Sequence, residues 1–337
     1  MRASDPLVSR AQLEEALGGL RRQVADPRAG VFGPGSRVWA INRDAITFLG
    51  GGRAALLQLA HPFVAHAVDQ HSAARTDPVG RFLRTFDAVF AMVYGDLEAV
   101  EAAARRVHAI HEHVRGELTE SVGPFPQGTA YAANAPEALL WVHATLWDTS
   151  IQVRELVRGP LPEEIKAEYY QETKRFAALF GIPVACVPPD WPAFQAYMAR
   201  MLDAPEITVG TVARELAHAL LRPEGSWLGP LWRWYAAITA RLLPERQRRE
   251  FALPWGPGEQ RIAEATLAAL RATWPWVPPR LRWLPAYVAA RRRLEGKPPD
   301  LLGRVVDWAW RRAEQAHRPT PPGVSISGHR WAARGRR

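Results

Sequence analysis

A single cysteine, Cys186, stands in a chain of 337 residues. It excludes an intramolecular disulfide framework and any thiolate metal cluster built within one chain. No apolar run approaches the roughly 20 residues that a membrane-spanning helix needs. The opening Met1-Arg2-Ala3-Ser4-Asp5-Pro6 lacks the apolar core of a secretion signal, so a cytoplasmic protein is the expectation. Strand-like alternation is scarce and no internal repeat stands out, which leaves an all-α fold. Acidic residues are the minority, giving a net charge of +9. That excess is dispersed along helices and concentrated only after Arg311, with no helix-turn-helix or RNA-binding signature, so no nucleic-acid partner is expected.

Proline and histidine are what the chain does have. The 29 prolines gather at segment ends, as in Gly159-Pro160, Pro188-Pro189, Pro278-Pro279 and Pro298-Pro299, where they punctuate helices. Seven of the ten histidines lie between His61 and His143. In the stretch from Asp96 to Gly116, Asp96 is a fitting N-cap and Gly116 a fitting stop. At about 100° per residue, Val100, Ala104, Val107, His111, Val114 and Leu118 share one face, so His111 points inward. His108 falls on the flank and His113 toward solvent. In the helix that starts at Asn134-Ala135-Pro136, His143 shares a stripe with Leu139, Val142, Leu146, Ser150 and Val153. Two inward imidazoles make a metal or haem site worth weighing against ordinary core histidines satisfied by a carbonyl or hydroxyl.

The helix between Asp77 and Gly95 carries an apolar side of Phe82, Phe86, Val89, Phe90 and Val93. Its other stripe holds Arg81, Arg84, Thr85, Ala88 and Met92, which is either a solvated face or one able to meet haem propionates.

Several ordered motifs now stand together: His61-Pro62-x-Val64-Ala65 with His71-Ser72, Arg81-x-x-Arg84-Thr85, Ile110-His111-x-x-Val114-x-Gly116, Tyr131-x-Ala133-Asn134-x-Pro136-Glu137, and Trp141-Val142-His143-Ala144-Thr145-Leu146. Over roughly residues 30–270 the chain resembles the catalytic domain shared by MpaB-type oxygenases and bacterial rubber oxygenases (latex-clearing proteins). The resemblance implies an α-helical protein with b-type haem, whose iron assists O₂ in cleaving carbon–carbon double bonds of apolar, isoprenoid or lipid-like substrates. It implies that His111 is the proximal iron ligand and that Arg81, Arg84 and Thr85 lie near the haem, with His143 close by. His61 falls on the family's His-Pro element, where Pro62 marks a kink or a helix start. Catalytic roles fall on Arg84, Thr85 and His143; cofactor binding falls on His111, Arg81, Thr85, His143 and His61. The family's motif has Lys or Arg at the position of Arg84, and arginine cannot offer iron a lone pair as the deprotonated lysine of the Lys-bearing members can. No Cys-x-x-Cys-His motif is present, so attachment would be non-covalent.

The expected organisation is an N-terminal helical arm at 1–30, the haem-binding helical domain at 31–272, a helical extension at 273–317 and a disordered basic tail at 318–337. Two other readings stay open. One is a non-haem metalloenzyme using His61, His71, His111 and His143, with Asp148 the nearest carboxylate; the other is a haem- or lipid-binding protein without catalysis. Between Trp227 and Trp310 many tryptophans alternate with arginines, a pattern that serves helix packing, an apolar substrate entrance or contact with a membrane surface.

Overall fold

The computed structural model describes residues 7–75, 77–222 and 228–298, apart from the side chains at 78, 79, 82 and 83. The basic tail expected at 318–337 and the extension beyond 298 lie outside the described residues. In chain order the helices are α1 (Arg10–Gln23), α2 (Arg37–Asn42), α3 (Gly51–Leu59), α4 (Pro62–His71), α5 (Pro78–Tyr94), α6 (Leu97–Glu112), α7 (Pro136–Arg158), α8 (Glu163–Ala178), α9 (Trp191–Asp203), α10 (Thr211–Leu221), α11 (Gly229–Leu242), α12 (Glu245–Glu250), α13 (Pro257–Thr273), α14 (Pro279–Arg282) and α15 (Pro285–Leu294). The fold is all-α. The sheet among the described residues is a two-stranded antiparallel ribbon of β1 (Arg115–Glu117) and β2 (Ala130–Ala132).

Caps and prolines place the helix starts. Asp77 accepts a hydrogen bond from the Gly80 N–H at the head of α5, and Asp96 accepts one from Ala99 at the head of α6, both at 2.9 Å. Pro62 is the first residue of α4, where its missing N–H costs nothing, so it marks a helix start and not a kink. Helix α7 starts at Pro136, with Ala135 as its N-cap, as expected, but one expected boundary differs. Helix α6 ends at Glu112, and Gly116 is a strand residue. A Cβ at Gly116 would come within 2.5 Å of Gln70 Oε1 and 2.7 Å of the Tyr131 hydroxyl. Gly116 therefore serves a close approach of the Gln70 and Tyr131 side chains rather than helix termination.

Helix α7 is the axis of the core. Leu139, Leu140, Trp141, Ala144, Thr145, Trp147, Ile151 and Val153 are all buried, so it is apolar nearly all round, as a helix enclosed by others must be. Helices α2, α3, α8 and α13 pack on it. Helix α3 reaches it through Arg53, which is 1% exposed. The Arg53 guanidinium donates to Asp148 Oδ2 at 2.7 Å, to Thr149 Oγ1, and to the Leu242 carbonyl at the end of α11 at 3.0 Å. Gly50 and Gly52 let this approach happen, because a Cβ at either would clash with Thr149 or Thr239. Leu13, Leu17 and Leu20 of α1 join the same core, against α6 and α8.

Removing one partner of a buried ion pair strands the other, at a cost of about 3–5 kcal/mol. Arg53→Ala is expected to lower unfolding free energy by that amount in urea denaturation. The Arg53→Ala/Asp148→Ala double variant should lose less than the sum of the single losses; simple additivity would show that the two side chains are not coupled.

Candidate functional site

The last turn of α6, the β1–β2 ribbon and the approach to α7 converge on His111. The chain leaves α6 through Val114, whose carbonyl accepts from the Ala133 N–H at 3.0 Å, and this places Asn134 beside the helix end. The Asn134 side chain hydrogen-bonds the His111 ring. Its carbonyl also accepts from Val8 N–H at 2.9 Å, which ties the segment before α1 to the same place. The flanking His108 proves buried, and its Nε2 donates to the Val8 carbonyl at 3.1 Å. His113 is exposed.

His111 Nδ1 is buried and has no hydrogen-bond partner. Burial, with the His108 and Arg81 charges adding to it, lowers the His111 pKa to about 4, and the Asn134 bond only partly offsets this. The ring is neutral at physiological pH. A neutral imidazole with an unpaired buried nitrogen is what a metal ligand requires.

Arg81 of α5 is the cation whose field reaches His111. Its Nε donates to Ser72 Oγ at 3.0 Å, and burial, with the Arg84 charge second, lowers its pKa to about 10. It remains protonated, and no carboxylate pairs with it among the described residues. The other two members of the motif are differently placed. Arg84 turns back to Asp77 Oδ2 at 3.1 Å, while Thr85 is exposed and its hydroxyl donates to the Arg81 carbonyl at 3.1 Å. Beyond them Phe86 and Phe90 are half-buried and meet Phe48, the first tilted and the second edge-on, with ring centroids 5.1 and 5.9 Å away. A cavity of about 230 Å³ opens beside His111, between Asn134, Arg115 and the Ser9-Arg10 segment.

The remaining histidines are occupied separately. His61 caps α4 by accepting from the Phe63 N–H at 3.3 Å and packs among Phe63 and Phe125. His66 spans the Pro62 carbonyl and Thr119, and His71 donates to the Arg115 carbonyl at 2.9 Å. His143 lies between α7 and α8, where Nδ1 accepts from Trp147 Nε1 at 3.0 Å and the ring stacks on Phe176. That bond puts the neutral ring's proton on Nε2, which is buried without a partner. No hydrogen bond, ion pair or ring contact joins His143 to His111, Arg81 or Thr85 among the described residues. No three His, Cys, Asp or Glu side chains converge as a metal-holding group among the described residues. The four histidines of the non-haem reading are thus dispersed, and Asp148 is engaged by Arg53 and Gln152. The sequence reading did not identify Asn134 as a ring partner or Ser72 as the anchor of Arg81, although both stood in its motifs.

A family model described as the catalytic domain of ER-bound oxygenase mpaB/B' and rubber oxygenase matches residues 38–272. The uncharacterized proteins Mb2261 of Mycobacterium bovis and Rv2237 of Mycobacterium tuberculosis are each 30% identical to the chain over 188 residues. The match covers 54% of this chain and 68% of each relative. No solved structure matches.

Burial lowers the His61 pKa to about 4 and that of His143 to about 3, against 6.5 in an open chain. The unfolded chain therefore binds protons that the folded chain refuses. Stability from these rings is complete above the unfolded value and is lost as pH falls toward the folded ones. The urea midpoint should fall between about pH 7 and pH 5. His143→Gln, which retains an acceptor for Trp147, should make that decline shallower; an unchanged slope would remove His143 from the account.

Proposed function

Because the chain belongs to the ER-bound oxygenase mpaB and rubber oxygenase catalytic-domain family, we propose that it is a b-type haem oxygenase. On this reading it acts with O₂ on an apolar, isoprenoid or lipid-like substrate. The coarser statement, an oxidoreductase of an oxygenase family taking a small-molecule substrate, rests on the family match alone. The haem reading rests on one observation, the buried, neutral and unpartnered nitrogen of His111.

The donor set fits the group. His111 would hold the iron, with Asn134 fixing the ring's orientation from the side. Arg81, desolvated and free of a carboxylate, would receive a propionate through charge-assisted hydrogen bonds. Ser72 holds that guanidinium in place. When bound, haem iron supplies the capacity to activate O₂. The Arg84 guanidinium has no lone pair to offer, so it cannot serve as a ligand, and its partner Asp77 draws it toward the start of α5. The half-buried Phe86 and Phe90 on the same helix offer apolar surface for a substrate without polar handles. His143 and His61 are assigned to shaping the interior, since each already has aromatic and hydrogen-bonding partners.

His111→Ala is expected to abolish the haem absorption band of reconstituted protein while leaving far-UV helicity intact. Full haem occupancy in that variant would overturn the assignment. Arg81→Ala should weaken haem retention in titration, and Thr85→Ala should change substrate-dependent O₂ uptake more than haem binding. Imidazole should readily shift the absorption of the loaded protein. A resting spectrum with two nitrogen ligands, lost in His61→Ala or His143→Ala, would show that one of those rings caps the iron.

A further inference from the structure

Between α13 and α15 the chain presents large apolar side chains to solvent. Trp276 is 85% exposed and Leu281 is 74% exposed, two of the five exposed large hydrophobics among the described residues. They lie five positions apart in Trp274-Pro275-Trp276-Val277-Pro278-Pro279-Arg280-Leu281. The turn that carries them is stiff. Trp274–Trp276 forms one 3-10 turn and Pro279–Arg282 one turn of α14, each with a proline in its first turn. The Leu281 N–H donates to the Pro278 carbonyl at 2.9 Å, which fixes the tip. Little conformational entropy remains to be lost when these side chains enter another medium.

The charge of the segment that carries the tip has one sign. From Arg271 to Leu294 there are six arginines and no aspartate or glutamate. Several are used internally: Arg282 pairs with Asp44, and Arg293 donates to the Tyr94 carbonyl. Arg280, between Trp276 and Leu281 in sequence, is exposed and has no ion pair among the described residues. A cation without an acid, set between a tryptophan and a leucine, fits the interface of an anionic bilayer. The indole sits at headgroup depth, the leucine reaches the acyl boundary and the guanidinium meets lipid phosphate. A protein partner fits less well, because two side chains on a narrow tip fall far short of the roughly 1,600 Å² that a stable interface buries.

We propose that the Trp276–Leu281 tip is a peripheral docking site for an anionic lipid surface. No helix among the described residues is long and apolar enough to cross a membrane, so attachment through this tip is a surface contact. For an enzyme taking an apolar substrate, such a contact brings the protein to where that substrate dissolves; the docking itself does not depend on the oxygenase reading.

The test is cosedimentation of the full chain with phosphatidylcholine vesicles, with and without phosphatidylglycerol, read as a partition coefficient without any turnover. Binding to the anionic vesicles is expected, weakening as salt is raised. Trp276→Ser/Leu281→Ser should reduce it by about tenfold or more, and Arg280→Gln by about fivefold. Because both variants retain the basic C-terminal residues, parental binding in both would assign the interaction elsewhere and overturn the proposal. So would a concentration-dependent dimer of the parent, abolished in the double variant, with no vesicle binding. Far-UV spectra of the variants should match the parent, since neither side chain supports the core.

Discussion

A charged side chain at the centre of an apolar interior sets the arrangement of the helices. Arg53 cannot be solvated where it sits, so each donor must find a partner in the protein, and those partners lie on α7 and at the end of α11. The requirement fixes rotation and height together, because a slip of one residue along α7 would take Asp148 and Thr149 out of reach. Apolar packing alone tolerates many such slips. A second ionic anchor acts at the other end of α7, where fully buried Asp44 faces Arg158 and Arg282 and links the start of the fold to the segment before α15.

Within this frame the region around His111 is locally under-satisfied. Nδ1 of His111 lacks a partner that a packed interior would ordinarily provide, and Arg81, whose charge reaches it, is a desolvated cation without a carboxylate. Each costs folding free energy. On the haem reading proposed above, one ligand would supply both contacts, an acceptor of a nitrogen lone pair and an anion. Arg53 shows the contrast: more deeply buried still, but fully engaged by the protein's own groups.

Most of the helices could be read from the chain because capping chemistry is local. Asp77 and Asp96 do in the structure what their spacing to the following residues predicts. Periodicity likewise turned His111 and His143 inward, since a helical stripe is a property of one segment. It erred where tertiary contact decides. Gly116 reads as a helix stop, yet its role depends on Gln70 and Tyr131, distant in sequence. Asn134 reads only as the approach to a helix until the ribbon carries it to a neighbouring ring. For Arg81, Arg84 and Thr85, spacing gave one face but not three fates, because Ser72, Asp77 and a backbone carbonyl each claim a different member. His61, His71 and His143 show the same limit: residue type supplied the chemistry, and only packing revealed that each had a separate occupation.

The short ribbon of β1 and β2 also bears on the order in which the molecule assembles. His111 and Asn134 are joined across a hairpin-like excursion of the chain, so bringing them together costs the closure entropy of one short loop. The Arg53 contacts span about a hundred to almost two hundred positions and can form only once remote helices have docked. One edge of the candidate site therefore belongs to a local unit, whereas Arg81, whose charge reaches His111, comes from a separate helix, α5. Local opening of remote helix contacts would leave this hairpin edge intact without global unfolding.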